Sequence, residues 1–307
     1  MGRLTSVVLV TWNSARHLPR CLAAIRQQSW PEVELIVIDN GSTDGSAEQA
    51  TIRNPGNRGF AAAVNQGIAA ARGEFVLLCN PDAFLERDYI ERIVAALDEA
   101  GESFGMATGK LLSTSGPVID SKGIRMTRTG RHFDIDQGCA DRADETTEVF
   151  GVSGAAAMYR MSFLRDVAID GQPFDEDFFT YREDADIAWR GRLFGWRALY
   201  VPSAIAHHIR TVTPAKRRQL PAFINMHGVK NRFLLRLKNE GLYLALRNAP
   251  FELPRDLIAI IATLTIERSS LPAFSWIWRN RKRVLAKRRA IQSRRRVSDR
   301  ELARWFR

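Results

Sequence analysis

Phe75-Val76-Leu77-Leu78-Cys79-Asn80-Pro81-Asp82-Ala83 is five apolar residues running straight into a polar turn. An apolar run of that length, bounded by turn residues, reads as a strand buried on both faces, and its exit delivers a carboxylate, Asp82, to the end of a sheet. Upstream the same signal occurs twice. Ser6-Val7-Val8-Leu9-Val10-Thr11-Trp12 is β-branched and apolar, and passes through Asn13-Ser14 into a stretch with Leu18, Leu22 and Ile25 on one helical face. Residues 33–38 repeat the strand and stop at Asp39-Asn40-Gly41-Ser42-Thr43-Asp44-Gly45-Ser46, a turn cluster whose Asp44 can cap the next helix. Asn57-Arg58-Gly59-Phe60 opens an Ala-rich helix that ends near Arg72-Gly73, just ahead of the Phe75 strand. Strands alternating with helices predict an α/β fold, a mainly parallel sheet with helices on both faces. In such sheets ligands collect beyond the carboxyl ends of the strands, so Thr11 to Asn13, Asp39-Asn40 and Asn80 to Asp82 are expected to share one crevice.

Residues 88–100 continue as an amphipathic helix, whereas residues 101–148 read as short strands and loops without a period that would assign their pairing. Gly151, Ser153 and Gly154 interrupt the apolar segment 149–159 with positions where a ligand can approach the backbone. A short strand is expected over residues 198–201, and beyond Pro214 the pattern turns helical, with a long stretch over 220–239 and more helix beyond Leu253-Pro254. The chain divides on this reading into an α/β domain over 1–212, with halves of about 1–105 and 106–212, and a helical polybasic region over 213–307.

The net charge of +11 is unevenly placed. From Arg268 to Arg307 there are twelve Arg and two Lys against Asp299 and Glu301, a surplus that accounts for the whole imbalance and leaves the rest close to neutral. Trp276, Ile277, Trp278, Trp305 and Phe306 are interleaved with it. Such a segment suits phosphate, on an anionic lipid surface or on nucleic acid. Cys21, Cys79 and Cys139 are widely spaced and fit neither a disulfide framework nor a zinc motif, so small buried hydrophobes in a reducing compartment are expected. The N-terminus lacks the marks of a secretory signal, and although Met1-Gly2 with Ser6 matches the bare myristoylation pattern, it leads at once into a core strand. Residues 257–266 fall short of the roughly 20 apolar residues of a spanning helix.

Asp82 is sufficient, with substrate phosphate and water, to hold a hard cation such as Mg²⁺ or Mn²⁺, and is equally readable as a helix N-cap. Asp39 with Asn40 serves either as a turn or as an acceptor for the imide of a pyrimidine base. Asn57-Arg58-Gly59 sets a cation and a flexible backbone before a helix N-terminus, which suits a diphosphate or a sugar. Glu183, Asp184 and Asp186 fall in the first turn of a helix through Ile187, Trp189, Arg190 and Leu193, where the dipole favours acids and Asp186 can pair with Arg190. Beside Phe178, Phe179 and Tyr181, a partly desolvated carboxylate there can also remove a hydroxyl proton. Of His207-His208, one imidazole can ligate a metal, with Arg210 facing a departing diphosphate. The absence of Gly-x-Gly-x-x-Gly and Gly-Lys-Ser/Thr argues against a nicotinamide enzyme or a P-loop NTPase.

Taken together, in this order and spacing, these segments resemble the inverting family-2 glycosyltransferases of GT-A (Rossmann-like) fold, and among them the bacterial rhamnosyltransferase-like branch. The residues that carry the likeness also include Asn65 and Phe174-Asp175-Glu176, and it spans roughly residues 6–210. The resemblance implies that Thr11, Asn13, Asp39 and Asn40 hold the nucleotide, with Asn57, Arg58, Asn65 and Asp82 completing the donor site. It makes Asp82 the surviving carboxylate of the family's Asp-x-Asp motif, with Asn80 at the first place, and His208 a ligand of Mg²⁺ or Mn²⁺. Asp184 becomes the base, with Glu183, Asp186 and Arg210 toward acceptor or diphosphate. The implied partners are a dTDP- or UDP-linked sugar, rhamnose favoured, and a hydroxyl of a cell-envelope glycan or polyprenyl-linked acceptor. Residues 253–307 would then lie on the anionic inner face of the cell membrane, making the protein cytoplasmic and peripheral. Rival readings are a nucleic-acid-binding protein that uses the basic tail and a silent nucleotide-sugar binder; the intact set Asp39, Asp82 and Asp184 speaks against both.

Overall fold

The computed structural model describes residues 3–210 and 221–307. Met1-Gly2 with its myristoylation pattern, Pro214, Leu220 and the division at 212/213 lie outside the described residues. The first half is built from β1 (Thr5–Thr11), α1 (Leu18–Arg26), β2 (Val33–Asp39), β3 (Ile52–Arg53), α2 (Phe60–Ala70) and β4 (Phe75–Cys79). β1 pairs in parallel with β2 and with β4, so that Val8 faces Ile36 on one side and Leu78 on the other. Every residue of β1 and β4 is buried, in keeping with the apolar runs at residues 7–10 and 75–79. Alternate residues feed opposite layers: Val8, Leu78, Val64 and Trp189 pack on one face, and Val7, Leu77, Leu22 and Ile93 on the other.

The second half runs through β5 (Ala83–Leu85), α3 (Tyr89–Ala100), β6 (Phe104–Ser113), β7 (Ile119–Ser121), β8 (Ile124–Met126), β9 (His132–Asp134), β10 (Thr147–Val149), β11 (Ala156–Arg160), α4 (Met161–Val167), α5 (Glu183–Leu193) and β12 (Arg197–His208). The strand order is β10-β12-β6-β11-β4-β1-β2-β3, with β5 added to β12 and β7 to β6. β6 and β12 are parallel, while β11 runs antiparallel to both β4 and β6. The strand expected over residues 198–201 in fact continues to His208. Pro202 cannot donate to the ladder, and the register shifts between Val201 and Ile205 before pairing resumes. Just past Asp82 the chain turns into β5 rather than a helix, so Asp82 is not an N-cap.

The C-terminal region forms α6 (Ala222–Asn239), α7 (Leu242–Thr265), α8 (Pro272–Arg279), α9 (Arg281–Ser293) and α10 (Asp299–Leu302). Helix α7 begins well before the predicted start and passes through Pro250 and Pro254. Arg236 of α6 ties it down by pairing with Glu252 at 2.8 Å and with Asp256, which offsets the backbone hydrogen bonds that two prolines remove. Among the described residues no single helix is long and apolar enough to cross a membrane; α7 and the following helical segment qualify by length and composition only as a pair, bent by 109°.

The basic tail is not an extension into solvent. Arg283 and Lys287 bind Asp177 at 2.6 and 2.8 Å, Lys287 also binds Asp175 at 2.6 Å, and Arg296 binds Asp166 at 2.9 Å. Phe306 is fully buried, its ring 4.9 Å from that of Trp189. Arg283, Lys287 and Arg296 thus have acidic partners far upstream in sequence, and the side chains of Arg283 and Arg296 remain about half exposed. Trp276, expected at headgroup level, is packed against the core, whereas Trp278 is 67% exposed. Cys139 is exposed, against expectation, because it sits in a loop; Cys21 and Cys79 are buried and free.

Candidate active site

The pairing of β5 with β12 sets Ala83 opposite His208, and so brings Asp82 to the histidine despite their separation in sequence. His208 Nε2 lies 3.4 Å from Asp82 Oδ1, and Nδ1 lies 2.8 Å from Asp120 Oδ2. Arg210 donates to Asp120 at 2.7 Å and to Asp134 at 2.7 Å. Burial disfavours charge on His208, but hydrogen bonds to Asp120 and Asp82 outweigh it and push the imidazole up to about 9. Burial likewise acts to raise Asp120, yet the bonds from His208 and Arg210 hold its carboxyl below the ordinary range.

Asp82, His208 and Arg210 line one cavity of about 620 Å³ together with Glu183 and Asp184. Asp184 enters from the first turn of α5, across from the small residues Ser153 and Gly154. A Cβ on Gly154 would stand 3.8 Å from Asp184 Cβ, in ordinary van der Waals contact, so Gly154 packs directly beside the carboxylate-bearing side chain. Burial pushes Asp184 up to about 6, eased by the backbone N–H of Ala185 and reinforced by Asp134. Burial and the neighbouring Asp184 push Glu183 up to about 8.

The segment before α5 is strained. Phe179, Tyr181 and Arg182 have φ of 64°, 66° and 71°, conformations that cost about 1–3 kcal/mol each for such residues. Asn231, fully buried on α6, holds this segment by donating from Nδ2 to the carbonyls of Phe178, Thr180 and Tyr181, each at 2.8 Å. From the other side the N–H of Ala61 donates to Phe179 O at 3.3 Å, and Gly59, at φ 90°, lies so close that a Cβ would meet the Phe179 ring at 2.6 Å. The Asn57-Arg58-Gly59 motif thus abuts the segment that leads to Asp184.

The remaining predicted residues fall elsewhere. Thr11 and Asp39 end adjacent strands as register partners, at the same edge of the sheet as the exit of β4, and are not among the residues that line this cavity. Asp39 Oδ2 accepts from the N–H groups of Gly41 and Ser42 at 3.1 Å, while Oδ1 is buried without a partner among the described residues, as is Thr11 Oγ1. Asn13 braces the loop by accepting from Thr43 N at 2.8 Å, and Asn40 is bonded to Asn57, Gly59 and Arg58. Arg58 and Asn65 line a separate cavity, and Asn65 clasps the backbone of Phe174 with both ends of its amide. Asp186, fully buried, faces away from the cavity into Arg190, Lys238 and Asn239 at 2.9, 3.0 and 2.7 Å.

Asp120, Asp134, Arg131 and Arg182 were not singled out in the sequence; they arise from the aperiodic 101–148 segment and a turn, with no local signal beyond their charge. Among the described residues no group of three or more His, Cys, Asp or Glu is arranged as a metal centre. Asp82 and His208 nevertheless suit a cation that takes its other ligands from a diphosphate and water. Asp120 is placed as the outer-shell partner of Nδ1–H, and a cation bound at Nε2 would displace the proton that this nitrogen now directs at Asp82.

Residues 6–168 match the sequence profile described as Glycosyl transferase family 2, a span that ends before Asp184 and His208. An N-acetylglucosaminyl-diphospho-decaprenol L-rhamnosyltransferase of Mycobacterium tuberculosis is 29% identical over 242 residues, 68% of this chain and 77% of that protein. The mannosyltransferase PcManGT of Pyrobaculum calidifontis, solved with GDP-Man and Mn²⁺, superposes with a TM-score of 0.53 at 21% identity over 96% of this chain and 84% of its own. GalNAc-T7, solved with UDP, GalNAc and Mn²⁺, gives 0.61 at 14% identity over 77% of this chain, which spans only 48% of that one. These two likenesses establish the GT-A fold; the profile, which takes in more than half of the chain, decides the family, and the chain belongs to glycosyl transferase family 2.

Proposed function

We propose that the chain is an inverting, metal-dependent glycosyltransferase that moves a sugar, rhamnose favoured, from a dTDP- or UDP-sugar to a hydroxyl of a lipid-linked or cell-envelope glycan. The observation that carries this reading is the shared cavity: Asp82 at the exit of β4 and Asp184 at the head of α5 face the same space. Asp184 takes the proton of the acceptor hydroxyl as that oxygen attacks the anomeric carbon, and the bond from that carbon to the diphosphate breaks on the opposite side, so one displacement inverts the centre. Asp82 and His208 would hold Mg²⁺ or Mn²⁺, which when bound supplies charge neutralisation on the diphosphate. Arg210, held by Asp120 and Asp134, adds fixed positive charge at the same wall. The unpartnered Oδ1 of Asp39 supports a base whose imide N–H it accepts, as in uracil or thymine.

The test is incubation of the purified chain with a panel of nucleotide sugars and Mn²⁺ or Mg²⁺, recording which nucleoside diphosphate is released. Release confined to one donor and lost in Asp82→Ala supports the reading; no release with any donor and lipid-linked acceptor ends it. The pH profile is a second check. A base works deprotonated, so kcat/KM should rise with pH through about 6, where Asp184 ionises, while Glu183 stays protonated up to about 8. Glu183→Gln should keep the lower limb and remove any inflection near 8; a lower limb that moves by a unit or more would assign it to Glu183.

We further propose that the protein sits on the cytoplasmic membrane face through α7 rather than through the arginine tail. Leu246, Leu253, Leu257, Ile261 and Leu264 of that helix are 50–68% exposed. Liposome flotation should survive 1 M salt in part and be lost in a Leu257→Asp/Ile261→Asp variant; flotation abolished by salt alone would return the contact to the tail.

A further inference from the structure

Beside the active cavity lies a smaller groove of about 190 Å³ between α6 and α7. Helix α6 contributes Gly228 and Arg232, α7 contributes Arg255 and Ile258, and the strained turn before α5 contributes Arg182. Arg182 and Gly228 line both spaces, so the groove opens alongside Asp184. Among the described residues that line it, the guanidinium groups of Arg182, Arg232 and Arg255 stand beside one carboxylate, Glu267. Glu267 itself accepts from Ser270 Oγ at 2.9 Å beyond the end of α7. Arg255 and Arg131 act on Arg232 as like charges: burial chiefly, opposed by Asp256 and then joined by these arginines, holds that guanidinium below its ordinary value. Cations crowded in this way are relieved by an anion, and guanidinium forks match phosphate oxygens two at a time.

The groove is also apolar on one wall. Ile258 and Ala262 line it, and Leu257, Ile261 and Leu264 carry the hydrocarbon surface outward over α7, each at least 50% exposed. A free phosphate would use the arginines and leave that wall in water, and a simple hydrocarbon would do the reverse. Both are used by an amphiphile whose diphosphate head is followed at once by a chain.

We propose that this groove binds the diphosphate of a polyprenyl-diphosphate-linked acceptor between Arg182, Arg232 and Arg255, with the hydrocarbon leaving over the outer face of α7. The assignment rests on the transferase reading for its purpose, since the sugar attached to the diphosphate would project into the neighbouring cavity toward Asp184.

The test is calorimetric titration of the full chain with farnesyl diphosphate, farnesol and inorganic pyrophosphate, with UDP or dTDP and Mg²⁺ present to fill the donor site. Farnesyl diphosphate should bind at least about tenfold more tightly than either fragment, and Arg232→Gln/Arg255→Gln should lose about tenfold or more of that affinity while nucleotide affinity stays put. Ile258→Asn should weaken farnesyl diphosphate and leave pyrophosphate unchanged. Equal affinity in the wild type and the arginine variant, or farnesol binding as well as farnesyl diphosphate, overturns the groove. The two ideas fail separately: donor turnover without arginine-dependent farnesyl diphosphate binding removes the groove alone, and the binding without turnover of any donor removes the transferase.

Discussion

Asp184→Asn should slow sugar transfer by about 10²- to 10⁴-fold while leaving nucleoside diphosphate affinity nearly unchanged. Asparagine has the same shape and keeps an oxygen for the N–H of Ala185, which Asp184 Oδ1 accepts at 2.7 Å, so the turn into α5 survives. What disappears is the capacity to take a proton. The carboxylate is suited to that task because burial raises it to about 6, basic enough to accept from a hydroxyl in the transition state and still ionised at neutral pH. Steady-state kinetics and nucleotide titration on the same preparation separate the two effects. Turnover within a few-fold of wild type would move the base to Glu183; a matching loss of nucleotide binding would make Asp184 part of the donor site instead.

Two positions further along the same helix, the expected result is of another kind. Asp186→Ala should lower folding stability by about 3–5 kcal/mol, because it removes the shared partner of buried cations. Arg190 and Lys238 are each 1% exposed, and Asp186 receives both together with the amide of Asn239. Lys238 retains Asp175, while Arg190 keeps only the carbonyls of Val167 and Pro173. Urea denaturation measures the loss, which should exceed that of Asp184→Asn by a wide margin. A stability change below about 1 kcal/mol would mean that water reaches the network and that the ion pairs are worth no more than surface ones.

The contrast between these carboxylates marks how far the sequence could be read. Strands β1, β2 and β4 are legible because strands within such a sheet carry near-continuous apolar runs, and turn residues end each one. The pairing of Asp186 with Arg190 is legible because both lie on one helix at i,i+4. Lys238 is not, since nothing local says that a helix some fifty residues on returns to the same point. Asp120 and Asp134 were missed for that reason in stronger form: three-residue strands such as β7 and β9 carry no period of their own and are defined by distant partners. The basic tail is legible in another way. Composition gives a charge but not the location of its counter-charge, and Asp166, Asp175 and Asp177 are where part of it goes.

Asn231 has a reach beyond its own helix. Its amide grips the carbonyls of the turn that aims Asp184, and it belongs to the same C-terminal segment as Arg232 and Arg255. A chimera spliced ahead of α6, made to borrow another enzyme's taste in acceptors, would import a foreign brace for the base along with it. On the proposed reading acceptor choice and turnover share one helix, α6, and a designer who wants to exchange one alone must carry Asn231 across the junction.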